Sequence, residues 1–108
     1  MIQIPFDPTV SSSQEFRVDL GGLVVTMNMA WNIRDSAWFL DVYTDNAGQY
    51  GIRISPMSRL LLSDDILGIT GNLFAIKEGQ DSSITYDNLG SGFNLYWFDE
   101  DDLNSLEG

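Results

Sequence analysis

Apolar and polar residues alternate at period two along most of this chain. The pattern is clearest around Trp31-Asn32-Ile33-Arg34-Asp35-Ser36-Ala37-Trp38-Phe39-Leu40-Asp41-Val42-Tyr43. Before it, Leu23, Val25, Met27, Met29 and Trp31 share one side of an extended chain. After it, Trp38, Leu40 and Val42 fall on one side and Phe39, Asp41 and Tyr43 on the other. Two alternating runs joined by a polar turn at 33–36 predict a β-hairpin with large aromatics at its closed end. Upstream, Phe16, Val18 and Leu20 alternate with Glu15, Arg17 and Asp19, the pattern of a half-exposed strand, and Gly21-Gly22 permits a tight turn. Downstream, Asp45-Asn46-Ala47-Gly48 reads as a hairpin loop, and Tyr50, Ile52 and Ile54 alternate after it. Three consecutive hairpins make a four-stranded meander.

The pattern changes at Pro56. Residues 57–69 are apolar but poorly periodic, which predicts a buried crossover with at most one helical turn, capped by Ser63-Asp64. Residues 73–77 form a short strand, and 84–89 a single helical turn ended by Gly90. The last strand, 92–98, is aromatic on both faces, so a second layer must cover it: the crossover or another subunit. At the other end Ile2, Ile4 and Phe6 alternate beside Pro5 and Pro8, as in a short edge strand or an extended arm over 1–13. That arm either closes the domain's own sheet or adds to a neighbour's. Short strands with frequent turn signals predict an all-β fold, a small antiparallel barrel or sandwich built on the meander, with at most one or two short helical turns. The length of 108 residues predicts one domain.

Composition removes most chemistries. The chain has neither histidine nor cysteine, so Ser-His-Asp and Cys-His catalysis, imidazole-ligated zinc and disulfides are excluded. Asp64-Asp65 is a poor acid–base pair, because adjacent strand residues point apart and no partner acid can be placed. Asp99-Glu100-Asp101-Asp102 lacks the alternating spacing of a calcium loop, and so does 45–48. No catalytic, cofactor-binding or metal-ligating residue is therefore assigned. A net charge of −11 repels duplex nucleic acid and anionic membranes. No apolar run is long enough to span a bilayer, and the first residues lack the features of a signal peptide. The acidic segment 99–108 reads as a solvated tail whose removal leaves the fold intact. The candidate partner contacts are Ile2, Ile4, Phe6, Tyr43, Tyr96 and Phe98; Asp99, Glu100, Asp101 and Asp102 form an acidic surface.

Several elements occur together in a recognisable order: Trp31-Asn32, Ala37-Trp38-Phe39-Leu40-Asp41-Val42-Tyr43, Tyr86-Asp87-Asn88-Leu89-Gly90 and Leu95-Tyr96-Trp97. In these the chain resembles the plug proteins of phage tail baseplates, of which the cyanophage baseplate plug is the type. The resemblance runs from the first alternating strand to Trp97 and leaves out the final acidic segment. It implies a non-enzymatic virion part near the junction of tail tube and central hub, assembled in the host cytoplasm. Its partners would be hub and tube proteins and copies of itself. It carries no binding motif that transfers residue by residue. Two other function classes fit the composition: a free-standing carbohydrate- or peptide-binding β module using its exposed aromatics, and an acidic DNA mimic.

Overall fold

A computed structural model describes residues 1–8 and 10–107, the side chain of Glu107 excepted. The meander forms as the alternation requires. Strands β2 (Ser13–Asp19), β3 (Val24–Asn32), β4 (Ala37–Tyr43) and β5 (Gly48–Arg53) follow β1 (Ile2–Ile4) and pair in chain order as one antiparallel sheet. The other sheet draws on both ends of the chain. It runs β1-β7-β6, with β6 at Gly71–Lys77 and β7 at Phe93–Asp99. Thus the N-terminal arm closes the domain's own sheet, with Ile2 opposite Trp97 and Ile4 opposite Leu95. The architecture is an open sandwich, not a closed barrel. Its extents of 33 × 32 × 20 Å are those of two face-packed layers.

The core lies between the sheets, on the sides that alternation assigned inward. Val25, Met27, Met29, Trp38, Leu40 and Val42 of the meander are fully buried. Facing them are Ile4, Leu73, Ala75, Phe93, Leu95 and Trp97. One irregularity interrupts the ladder. Tyr50 and Gly51 together oppose Asp41, because the register shifts between Leu40 and Val42. Gly51 takes a positive φ of 67°, and its N–H donates to Asp41 Oδ1 at 2.8 Å. This is a bulge held open by a glycine.

The crossover corrects one sequence expectation. It is built of turns and bends with no helix among its described residues, so Ser63-Asp64 starts a non-helical turn over 64–67, where Ser63 Oγ accepts from Asp65 N–H at 3.5 Å. Leu60, Leu61 and Leu67 drop into the core, and the segment is held by buried Asn72. Asn72 Nδ2 donates to Leu61 O (3.1 Å) and Asp64 Oδ1 (2.8 Å), and its Oδ1 accepts from Leu61 N–H (2.8 Å). Arg59 clasps the same carboxylate from the solvent side. The donors on Asn72 and Arg59 hold the Asp64 carboxyl below the ordinary 3.8.

The acidic end gives a second correction. Asp99 closes β7, and α1 (Glu100–Glu107) follows directly. Asp99 Oδ1 accepts from Asp102 N–H (3.0 Å), and Asp102 Oδ2 accepts from Asp99 N–H (3.2 Å). These reciprocal bonds form a capping box, and acids in the first turn favour the positive end of the helix dipole. Leu103 then folds back onto Phe74 and Phe98 in a small second core.

Two tests follow from the packing. Trp38 is fully buried, and its Nε1 finds no hydrogen-bond acceptor among the described residues. Trp38→Ala is expected to lose about 3–5 kcal/mol of unfolding free energy through the cavity left behind. Trp38→Phe should lose less, because it keeps a ring there and removes a buried N–H that lacks a partner. Chemical denaturation of both variants measures this. For Asp64, a depressed carboxyl contributes stability above its unfolded value and loses it as pH falls through the folded one. The gap in denaturation midpoint between wild type and Asp64→Asn should therefore be present at about pH 6 and shrink towards about pH 3.

Candidate partner-contact surface

The elements that carry the family resemblance meet in space. Trp31 and Trp38 stand opposite each other at the closed end of the β3–β4 hairpin. Their rings are 5.6 Å apart at 66°. Tyr86 arrives from the loop before β7, edge-on to Trp31 at 5.4 Å and stacked on Trp38 at 5.2 Å. Phe6 packs edge-on against Trp38 at 4.9 Å from the N-terminal arm. The loop that delivers Tyr86 is organised by buried Asn88. Its Oδ1 accepts from Thr85 N–H (2.7 Å), and its Nδ2 donates to Ser83 O (2.9 Å) and Asp81 Oδ2 (3.0 Å). Gly90 ends the loop at a φ of 104°, where any side chain would collide with the Phe6 carbonyl oxygen. So the Tyr86-Asp87-Asn88-Leu89-Gly90 element is an architectural clamp that brings distant aromatics together.

The six candidate contacts fall in three separate regions, and two of the six are buried. Ile4 is in the core at 2 % exposure, and Ile2 and Phe6 are half-buried at its margin. Tyr43 lies on the outer face of the meander, stacked on exposed Tyr50 at 5.6 Å. Its hydroxyl donates to Glu15 and accepts from Asn28, both at 3.4 Å. Tyr96 and Phe98 lie on the outer face of the smaller sheet. Phe98 is covered by α1 and packs on Phe74 at 4.8 Å. Tyr96 donates to Glu78 Oε1 at 2.6 Å. This bond raises the phenol above its ordinary 10.0; with help from Asn94, it lowers the Glu78 carboxyl. At the Phe98 end, the layer that covers the outer face of β7 is thus the chain's own C-terminal helix, where the crossover or another subunit was expected.

The acidic surface is also divided. Asp99 and Asp102 are engaged as caps, and Asp102 lies 2.7 Å from the Met1 amine, which lowers its carboxyl. Glu100 and Asp101 project into water. Among the described residues no group of three or more acidic side chains is placed to hold a metal ion, and no helix is long and apolar enough to cross a membrane. The sequence reading missed the exposed apolar tip of the β3–β4 hairpin. There Ile33 is 84 % exposed beside Ala30, Phe39 and Arg34, around an open concavity of about 810 Å³. An apolar residue inside a predicted turn was the available signal.

Because Leu103 is 5 % exposed and seals Phe74 and Phe98, Leu103→Ala should lose about 2–4 kcal/mol in chemical denaturation. Deleting residues 100–108 should lose at least as much. An unchanged midpoint in the deletion would mean that the helix does not seal the sheet.

No curated protein matches the chain. A family model described as cyanophage baseplate Pam3 plug gp18 matches residues 1–100. The match begins at residue 1 and so takes in the N-terminal arm that supplies Phe6 to the aromatic cluster. The arm, the hairpin tip and the Asn88 clamp are thus one unit in the match as in the fold, and the chain belongs to the cyanophage baseplate plug family.

Proposed function

We propose that this protein is a plug or adaptor at the junction of tail tube and hub, acting by protein–protein packing and without catalysis. The observation that carries the reading is the family match over residues 1–100, which supports a structural role in a phage baseplate. The surface chemistry agrees with it. A chain without histidine or cysteine has few routes to catalysis, and a packing role requires none. Large side chains remain exposed at Ile33, Tyr50, Met57 and Leu62, where tube, hub or further copies would seat. Glu100 and Asp101 stay in water, and a net charge of −11 keeps a passing genome from adhering to the wall of its channel. Assembly in the host cytoplasm fits a chain that needs no disulfide.

Reconstruction of the intact tail by electron cryo-microscopy tests this reading. Density for the two-sheet domain is expected between the last tube ring and the hub, with the hairpin tip or the Tyr43–Tyr50 face against protein. Density elsewhere in the virion, or none in purified particles, overturns it.

A further inference from the structure

Two open sheets have four edge strands, and an uncovered edge is a template for further pairing. Three of the four are protected here. The edge of β6 is covered by the crossover, through Met57 N–H to Ala75 O (2.9 Å) and Leu60 N–H to Leu73 O (3.0 Å). β1 is three residues long and is followed by Pro5, which has no N–H to offer. β5 is broken by the bulge at Gly51, and Gln49 ties it to Leu60 O and Leu62 N–H. β2 has seven residues and contains neither proline nor glycine, and its register with β3 runs unbroken from Ser13 to Asp19. Between Glu15 and Asp19 no described residue outside β3 hydrogen-bonds to its backbone.

Ladder phase shows which groups that edge presents. Leu20 N–H donates to Leu23 O (2.8 Å) at one end, and Trp31 N–H to Ser12 O (2.9 Å) at the other. Antiparallel pairs alternate between bonded and non-bonded, so residues 12, 14, 16, 18 and 20 direct their backbone groups at β3. Ser13, Glu15, Arg17 and Asp19 therefore turn their N–H and C=O outward. Ser11 Oγ reaches only the Ser13 N–H, at 3.2 Å. The Glu15 and Arg17 side chains are exposed on the outer face. Half-buried Phe16 lies on the inner side, beside an open groove of about 570 Å³ lined by Gln3, Pro5, Phe6, Gln14 and Asn94 among others.

We propose that β2 pairs antiparallel with β2 of a second copy about a two-fold axis through Phe16, joining two four-stranded sheets into one of eight. In this register Glu15 stands opposite the partner's Arg17, and Arg17 opposite the partner's Glu15. Ser13 faces the partner's Asp19, and the two Phe16 rings meet over the groove. The strand is thus electrostatically self-complementary, as an isologous contact requires. Neighbouring registers are penalised. A shift of two residues sets Glu15 against Glu15 or Arg17 against Arg17, and a shift of one puts the outward backbone groups out of phase. The large negative charge of each copy is screened over about 8 Å at physiological salt, so it weakens the short-range pairing without preventing it. The inference names the surface for the self-packing in the proposed function but rests on the geometry of β2, not on a place in the baseplate.

Sedimentation of the full chain at physiological salt tests it, with circular dichroism to establish that each variant is folded. The wild type should dimerise. Glu15→Arg and Arg17→Glu should each weaken the dimer about tenfold or more, because two attractions become two repulsions. An equimolar mixture of the two variants should form heterodimers, and the double variant should regain self-association. A wild type that stays monomeric up to about 1 mM, or a dimer indifferent to the reversals, overturns the proposal. So does a mixture that fails to pair. None of these outcomes bears on the location in the tail, which the reconstruction decides separately.

Discussion

The burial of Trp38 is the constraint on which the rest of the molecule depends. Its indole is fully enclosed, and the enclosing rings come from residues 6, 31 and 86, far apart in the chain. Each such ring removes about 150–250 Å² from water, so these contacts contribute a large share of the core. To bring them together, the N-terminal arm must pass Pro5 and lie under the mouth of the sandwich. The loop before β7 must also be folded around Asn88. Gly90 is the hinge of that arrangement, because only a residue without a side chain lets the Phe6 carbonyl approach. Of the elements that resemble the plug family, the hairpin aromatics Trp31 and Trp38 and the Tyr86 loop build this cluster, and Phe6 of the arm completes it.

A second organising feature is the joining of the two chain ends. β7 is the central strand of the smaller sheet, with β1 on one side and β6 on the other, so a strand near each end of the chain is built into one sheet. The outer face of β6 and β7 is apolar as well, and α1 covers its far end with Leu103. The acids that start this helix serve two purposes. Asp99 and Asp102 satisfy backbone N–H groups that a helix leaves unpaired, while Glu100 and Asp101 remain in water as surface charge. Along these four consecutive residues the two capping acids flank the two solvated ones.

The exposed surfaces of the described residues differ in kind. The hairpin tip is apolar with Arg34 beside it, the outer face of the meander carries the Tyr43–Tyr50 stack, and β2 offers an unpaired backbone edge.

The strands were legible in the sequence because period-two alternation is a local signal. β2 through β5 form where alternation and turn chemistry predicted them, and Trp38, Leu40 and Val42 face inward as read. The direct pairing of the hairpin aromatics was legible too, since strands joined by a short turn have little choice of partner. The inventory of candidate contacts was less legible. Ile4 and Phe98 carry the apolar character of a contact surface but are buried within this chain, because burial depends on what the fold brings over a residue. The acid run was read as a solvated tail, although Asp99 and Asp102 at capping-box spacing before Leu103 mark a helix start. The role of Asn72 and the failure of Ser63-Asp64 to cap a helix had no local signal at all. An asparagine discloses its partners only once residues eight to eleven positions away are folded against it. Sequence by itself determined the strands and most of their inward faces, since period and side-chain chemistry are properties of neighbours in the chain; Tyr50, read in alternation with Ile52 and Ile54, is instead turned outward by the bulge. Only the tertiary structure decided which faces stay exposed, because coverage is supplied by segments remote in sequence.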